Sequence, residues 1–301
     1  MAVWRRPRKE RTMKNKRKAA GAALMLAVMV SIGGPPAISY AMVRTPVALG
    51  TAAYKNSKVT LDASNADQGY VMIKYTGDNG KIKVQITKGT TYTYDLNARE
   101  SYEVFPLTEG NGSYSVKVFE NITGNQYAQA FSQTLEVVLA NEFTPFLYPN
   151  QYVNFNQSSN AVAVSDQLSQ GAADPMEIVT SIYHYVVDNL TYDYEKAKTV
   201  QSGYLPNVDV TLAEKKGICF DYASLMTAML RAQDIPTKLV IGYTGQLYHA
   251  WISVYLPEQG WIDNIIFFDG KNWSLMDPTF ASSGGRELGG GNSSYQAKYT
   301  Y

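Results

Sequence analysis

The chain has 301 residues, with 27 basic and 26 acidic side chains, and its only cysteine is Cys219. A single cysteine excludes an internal disulfide, so the fold must be held by packed hydrophobic cores. A chain of this length can build one or two of them, and we expect two domains.

Residues 1–41 have the pattern of a signal peptide. A basic segment that ends at Lys18 precedes the apolar run AAGAALMLAVMVSIGG, which is too short for a membrane span. Ser39 and Ala41 are small residues at the two positions that a signal peptidase reads, which predicts cleavage after Ala41. No later segment approaches 18 consecutive apolar residues. The mature protein is therefore expected to be secreted or otherwise extracytoplasmic, with the cell surface as one location, and to have no membrane span.

Removal of the signal changes the charge of the chain. The signal holds nine of the 27 basic residues and one of the 26 acidic ones, so the remainder has a net charge of −7. This charge argues against nucleic acid or an anionic membrane as partner. No metal-ligand spacing and no phosphate-binding glycine loop is present, so we expect neither metal nor cofactor. The sequence sets no expectation for the oligomeric state.

Residues 42–145 alternate apolar and polar side chains in short runs separated by turns. Examples are the runs 82–86, 92–96 and 114–118, with Asp78-Asn79-Gly80 as one of the turns. Half-buried antiparallel strands at this spacing predict a small β-sandwich-like domain. Nothing in it points to catalysis, and a spacer or adhesion role is the simplest interpretation.

Residues 146–173 have mixed composition and are predicted to be a connection. Asp174, Pro175 and Glu177 then form a helix start, and a second helix follows Cys219 with an apolar stripe from Tyr222 to Leu230. Asp221, Ser224 and Arg231 are predicted to lie on the face of this helix opposite the stripe. Four strands are predicted at 239–243, 247–255, 260–268 and 272–277. A helix followed by an antiparallel sheet indicates an α+β domain over residues 174–283, and residues 284–301 are predicted to be a flexible tail.

Cys219 lies at the first turn of its predicted helix, on the buried side. A thiol with a pKa of about 8.5 needs a stabilisation of about 2 kcal/mol to be half ionised at pH 7. A helix N-terminus supplies about 0.3–1 kcal/mol, or about 2 kcal/mol in a partly buried geometry, so we expect a nearby imidazolium to supply the remainder and to act as general acid.

Two histidines could serve as this partner. His184 is offset from the apolar stripe of its helix and is interpreted as a half-exposed helix residue. His249 stands in the middle of a predicted strand, LYHAWISVY, where alternation places it on the face opposite to Ala250 and Ile252. A histidine at such a position, next to Trp251, favours a catalytic role.

The histidine needs a carboxylate acceptor on its second ring nitrogen. Asp277 ends a neighbouring predicted strand, from which it could reach the imidazole. Asp263 and Asp269 are rivals: Asp269 fits a turn before Gly270, and Asp263 fits a solvated strand position. Asp277 as a turn former ahead of Pro278 is the structural alternative.

Three sequence blocks resemble the bacterial transglutaminase-like family, whose members share a papain-like core. They are GICFDYASLMTAMLRAQDIPTKLVIGY from Gly217, YHAWISVY around His249, and WSLMDPTF around Asp277. The resemblance covers about residues 170–282 and implies a Cys219 nucleophile, a His249 base and acid, and an Asp277 orienting carboxylate. For the oxyanion, the backbone N–H of Cys219 is the first donor expected, and Tyr204 and Asn207 are candidates for a second, with an ordinary loop role as the alternative.

The expected function is that of an exported cysteine enzyme that attacks an amide or peptide carbonyl of a protein or peptide, forms a thioester, and transfers the acyl group to water or an amine. One alternative is a cysteine peptidase acting on protein or cell-wall peptides. The other is a non-catalytic surface or adhesion protein that binds a peptide. The sequence does not choose between cross-linking, hydrolysis and deamidation.

Overall fold

A computed structural model describes residues 43–268, 273–275 and 295–301, which belong to one compact unit. Within these residues, no helix combines the length and the apolar character that crossing a membrane requires. The predicted signal peptide, residues 1–41, lies outside the described residues. Its export role therefore stays a prediction.

The N-terminal half of the described chain is built from two antiparallel four-stranded sheets, with strand orders β1-β2-β3-β6 and β5-β4-β7-β8. In β4 the burial alternates with every residue, as the sequence pattern predicts for a strand with one buried face. Both sheets contribute to one hydrophobic core. The strands are β1 (Ala53–Lys55), β2 (Val59–Asp62), β3 (Tyr70–Tyr75), β4 (Ile82–Thr87), β5 (Thr91–Asp95), β6 (Glu103–Pro106), β7 (Gly112–Thr123) and β8 (Gln126–Val137).

The segment predicted as a connection, residues 146–173, contains a helix, so that prediction is wrong for its second half. The helix α1 (Asn160–Leu168) buries Ala161 and Val162, and its Ser165 hydroxyl donates to the backbone carbonyl of Met229 at 2.6 Å. Because α1 is short and Ser165 lies on its buried face, the sequence lacks the long apolar stripe that would have revealed it.

The helices that follow surround one central helix. They are α2 (Pro175–Asn189), α3 (Tyr194–Thr199), α4 (Val208–Glu214) and the central α5 (Cys219–Ala232). The predicted start of α2 is confirmed: Pro175 is its first residue, and the Asp174 side chain accepts a hydrogen bond from the Glu177 backbone N–H at 3.0 Å. Strand β9 (Thr191–Tyr192) lies between α2 and α3. It pairs in parallel with β10 (Lys216–Gly217), which comes just before α5.

Helix α5 packs against a five-stranded antiparallel sheet of order β14-β13-β12-β11-β15. This confirms the predicted α+β class, with the cysteine helix against an antiparallel sheet. The strands are β11 (Thr237–Thr244), β12 (Leu247–Leu256), β13 (Gly260–Phe268), β14 (Trp273–Leu275) and β15 (Tyr295–Thr300).

Strand β15 corrects the prediction of a flexible tail over residues 284–301. Its residues pair with β11 from Val240 to Thr244, and the Thr300 carbonyl accepts a hydrogen bond from the Thr108 hydroxyl of the N-terminal half at 2.8 Å. The backbone also approaches Gly242 so closely that a Cβ there would lie 2.0 Å from the Gln296 carbonyl oxygen. The end of the chain is thus an integral part of the sheet, while residues 284–294 lie outside the described residues.

Helix α5 is buried on nearly all sides, whereas its sequence pattern assigned Asp221, Ser224 and Arg231 to a face opposite the apolar stripe. All three are buried. The Arg231 guanidinium donates to the backbone carbonyls of Tyr148, Thr237 and Tyr301 at 2.6–3.0 Å. Burial lowers the pKa of Arg231 to about 9, so it remains charged at neutral pH and ties α5 to the sheet and to the chain terminus.

Candidate active site

Cys219 is the first residue of α5 and is partly exposed. Strand β10 ends at Gly217, and Ile218 is the N-cap residue of α5, so only one residue separates the strand from Cys219. A side chain at Gly217 would bring its Cβ within 2.6 Å of the Asp221 Cβ. Glycine at this position therefore lets the chain turn directly from β10 into the helix that carries the thiol.

The first turn of α5 is fixed by the buried carboxylate of Asp221. It accepts hydrogen bonds from the Ile218 backbone N–H at 2.9 Å, from the Lys196 ammonium at 2.7 Å and from the Tyr204 hydroxyl. Lys196 also donates to the Tyr204 hydroxyl at 2.6 Å. The Asp221 carboxylate, two residues from Cys219, therefore joins three separate segments of the chain. They are α3, the loop after α3 and the start of α5.

The electrostatics of this network follow from burial and hydrogen bonding. Burial and the hydrogen bond to the Asp221 carboxylate raise the pKa of Tyr204 to about 12, so it remains a donor. Burial by itself lowers the pKa of Lys196, but its hydrogen bonds to Asp221 and Tyr204 outweigh burial and raise it. Lys196 therefore stays charged beside the carboxylate.

The Cys219 thiol lies in a pocket of backbone and hydroxyl donors. Burial raises its pKa, and hydrogen bonds from the Ala250 backbone N–H, the Tyr192 hydroxyl and the Phe220 N–H offset this only in part; the Asp221 charge raises it further. The direction is opposite to the lowered pKa that the position at a helix N-terminus suggested. A thiol in this environment keeps its proton at neutral pH unless a base removes it.

His249 lies on β12, one of the strands against which α5 packs. It is buried, with 3% of its surface exposed, and pairs across the sheet with Gly242 of β11. The next residue, Ala250, is the one whose backbone N–H interacts with the thiol. The catalytic role of Cys219 and His249 stays a prediction.

The other sequence candidates have different environments. His184 is exposed on α2, with its ring 5.2 Å from that of Tyr183, in agreement with a surface helix residue. Asp263 is exposed on β13, also as expected for a solvated strand position. Asp277 and Asp269 lie outside the described residues, so the orienting role of Asp277 stays a prediction. In the part of the chain that is described, no cluster of three or more His, Cys, Asp and Glu residues could hold a metal ion.

Neither candidate for the second oxyanion donor points to the thiol. Tyr204 donates to Asp221, and the Asn207 side chain caps α4 by accepting from the Val210 backbone N–H at 3.0 Å. Tyr192 of β9 lies close to the start of α5, because it pairs with Gly217 of β10. Burial and then the nearby Cys219 raise its pKa. Sequence reasoning missed it, because its position depends on a two-residue parallel pairing with residues 216–217 that no local pattern indicates.

A partly buried cysteine at the start of a central helix, packed against an antiparallel sheet that carries a histidine, defines a papain-like core. Residues 162–264 match the family model of the Transglutaminase-like superfamily. The resemblance to this family is thereby confirmed for the segment from α1 to β13. The match begins before residue 174, the predicted start of this domain, in keeping with the packing of α1 against α5.

Three curated proteins are similar over part of the chain, and two of them are bacterial. The chain is 25% identical over 182 residues to the uncharacterized protein YebA of Bacillus subtilis, covering 53% of this chain and 25% of YebA. It is 27% identical over 128 residues to a protein-glutamine gamma-glutamyltransferase of Pseudomonas aeruginosa, covering 38% of this chain and 19% of that protein. The chain thus spans a quarter or less of the length of these two bacterial relatives.

Among solved structures, the periplasmic domain of TgpA from Pseudomonas aeruginosa bound to ethylmercury is 17% identical, with a TM-score of 0.33. The similarity covers 77% of this chain and 99% of that domain.

Proposed function

We propose that the chain is an exported transglutaminase-like cysteine enzyme that uses Cys219, His249 and Asp277 to attack an amide or peptide carbonyl. The observation that carries this proposal is the position of Cys219 at the start of α5, the helix that packs against β12, the strand that contains His249. The match of residues 162–264 to the Transglutaminase-like superfamily supports it. The glutamyltransferase relative favours a glutamine side-chain amide as acyl donor.

In the first half of the reaction, His249 accepts the thiol proton while Sγ of Cys219 bonds to the carbonyl carbon, and the carbonyl electron pair moves to oxygen. The tetrahedral species collapses when the carbon–nitrogen bond breaks and His249 gives its proton to the leaving nitrogen. Ammonia leaves from a glutamine side chain, or an amine leaves from a peptide bond. The product on the enzyme is a thioester on Cys219.

In the second half, water or a primary amine attacks the thioester. His249 takes a proton from this nucleophile, the carbon–sulfur bond breaks, and the Cys219 thiolate recovers the proton. Asp277 keeps the imidazole oriented through its second ring nitrogen. Water as acceptor gives deamidation or hydrolysis, and an amine gives an isopeptide bond.

The test compares wild type with Cys219→Ala and His249→Ala, and uses His184→Ala as the matched control because His184 is the other, exposed histidine. Each variant is incubated with a casein-like protein and a labelled primary amine, and label incorporation, ammonia release and peptide fragments are measured. We expect wild type and His184→Ala to release ammonia or incorporate label at the same rate and the other two variants to show neither. Fragments without ammonia or label establish the peptidase alternative, and no Cys219-dependent product in wild type refutes the enzyme proposal in favour of a peptide-binding protein.

The proposed export is tested separately by sequencing the N-terminus of protein recovered from outside the cytoplasm. A mature chain that begins at Met42 is expected if residues 1–41 are removed as a signal. Protein retained in the cytoplasm with an intact N-terminus would refute this part of the proposal.

A further inference from the structure

A buried negative charge lies on the same helical turn as the predicted nucleophile. Asp221 is buried, and its carboxylate accepts a hydrogen bond at 2.9 Å from the backbone N–H of Ile218, the residue just before Cys219. Attack by Cys219 on a carbonyl builds negative charge at this end of α5, on sulfur and then on the carbonyl oxygen. A carboxylate without a cation would oppose that charge, because like charges repel strongly where water is excluded.

Lys196 of α3 supplies the cation that pairs with this carboxylate. Its ammonium lies 2.7 Å from Oδ2 of Asp221, the same oxygen that accepts from the Ile218 N–H. The ammonium also donates to the Tyr204 hydroxyl at 2.6 Å, and this hydroxyl donates to the other carboxylate oxygen. The cation and both oxygens of the carboxylate are thus held in one hydrogen-bonded unit.

Helix α3 is exposed at every residue except Lys196, which is half-buried. The Asp193 side chain caps this helix by accepting from the Lys196 backbone N–H at 2.9 Å. Two residues further along α3, Lys198 pairs at 2.9 Å with Glu195, and both side chains are exposed. The same short helix therefore carries one lysine directed to the active-site helix and one that serves as a comparison on the surface.

Other ionisable side chains lie on the elements around the start of α5. They include Tyr192 on β9, Asp193 before α3, Lys216 on β10, Asp209 on α4 and His249 on β12. Asp193 and Lys216 pair with each other at 3.1 Å, and Asp209 accepts a hydrogen bond from the Ala161 backbone N–H at 3.0 Å. Burial is the main cause that raises the pKa of Cys219, and the Asp221 charge raises it further even with Lys196 in place.

We propose that Lys196 is a positioning residue that cancels the charge of Asp221, so that this carboxylate fixes the start of α5 without opposing the negative charge that forms at Cys219. The inference rests on the proposed function, since attack by Cys219 is the step that generates this charge. Asp221 is needed as an acceptor for the Ile218 N–H, and a neutral acceptor has fewer lone pairs to offer the three donors around it. Lys196 makes the charged acceptor compatible with the chemistry beside it.

The pH profile of alkylation by iodoacetamide tests this role, because the chain has one cysteine and the reaction follows its thiolate. In Lys196→Met, Asp221 keeps the Ile218 N–H and the Tyr204 hydroxyl as donors and so keeps its charge. The midpoint of the profile should rise by about 1 pH unit, which is about a tenfold loss of thiolate at neutral pH, and turnover should fall by about the same factor. Lys196→Arg keeps the cation, so its midpoint should lie within about 0.3 pH unit of wild type.

Three more variants separate the charge from the fold. Lys198→Met removes the exposed lysine of the same helix and should leave the midpoint and the turnover unchanged. Asp221→Asn leaves the ammonium without its carboxylate and should lower the midpoint by about 0.5 pH unit. The double variant Lys196→Met/Asp221→Asn removes both charges, so its midpoint should return to within about 0.3 pH unit of wild type. A purely structural role would not produce shifts of opposite sign that cancel.

Several results would overturn the inference. They are an unchanged midpoint in Lys196→Met, an equal shift in Lys198→Met, and a double variant that keeps the shift of Lys196→Met. If Lys196→Met does not fold, Lys196→Gln, which keeps a donor but no charge, must show the upward shift. Absence of Cys219-dependent turnover in wild type refutes the proposed function, while the midpoints still decide whether Lys196 compensates Asp221.

Discussion

Replacing the buried Asp221 by asparagine tests whether the start of α5 is held by one carboxylate. Asparagine has nearly the same shape but only one acceptor oxygen, whereas Asp221 accepts from a backbone N–H, an ammonium and a hydroxyl. In Asp221→Asn, the amide NH₂ must face at least one of these donors. One or more of the three bonds is lost, and Lys196 keeps a charge without its carboxylate.

The size of the effect can be estimated from these contacts. A hydrogen bond to a charged group contributes about 1.5–3 kcal/mol to stability. The Ile218 N–H is buried, but the Lys196 side chain is 31% exposed, so water replaces part of its lost interaction. We therefore expect Asp221→Asn to lower the free energy of unfolding by about 2–4 kcal/mol.

The assay is urea unfolding followed by tryptophan fluorescence, with Asp234→Asn as the control. Asp234 follows the other end of α5 and forms an exposed salt bridge with Arg44 at 2.8 Å, so the same substitution there should change the unfolding free energy by less than about 0.5 kcal/mol. Equal effects in the two variants would refute the view that the buried carboxylate holds the helix start. A large effect of Asp221→Asn on activity with no effect on stability would refute it too.

Three further outcomes are expected. Gly217→Ala places a Cβ 2.6 Å from the Asp221 Cβ, so urea unfolding should show a free energy of unfolding lowered by about 1–3 kcal/mol. In the control Gly89→Ala the nearest contact of the new Cβ would be 3.4 Å, so the free energy of unfolding should hardly change. Equal losses in the two variants would contradict this prediction. Arg231→Met should lower the unfolding free energy by about 3–5 kcal/mol because buried carbonyls lose their donor, and Arg231→Lys, which keeps the charge, should lose less. Because burial raises the pKa of Cys219, its thiolate forms at higher pH than that of a free thiol. The alkylation rate should therefore continue to increase with pH above the pH at which a free thiol is half ionised. A rate that becomes constant below that pH would show that the pKa of Cys219 is lowered.

Local sequence signals predicted much of this fold, because they depend on neighbouring residues. Asp174 and Pro175 mark a helix start that needs only the next three residues to form. The strands around His249 and Trp261 follow from alternation and turn residues within a few positions. The position of Cys219 at a helix start could be predicted for the same reason, since Gly217 and the apolar stripe after it are local features.

Features that depend on distant contacts could not be predicted in this way. Strand β15 pairs with β11 more than 50 positions earlier, and Tyr295 and Tyr299 alone do not distinguish it from an exposed tail. Arg231 is buried only because three backbone carbonyls from separate segments converge on it, whereas its own helix pattern indicated a polar face. Tyr192 is a similar case, because its place is set by pairing with Gly217, 25 positions further along the chain.

The activation of Cys219 depends on burial as well as on the helix start. A helix N-terminus contributes about 0.3–1 kcal/mol, and up to about 2 kcal/mol in a partly buried geometry. The pKa of Cys219 is nevertheless raised, with burial as the largest cause. In the proposed mechanism the thiol therefore stays protonated until a base takes the proton during attack, and we expect general-base catalysis by His249 to matter more than a preformed ion pair.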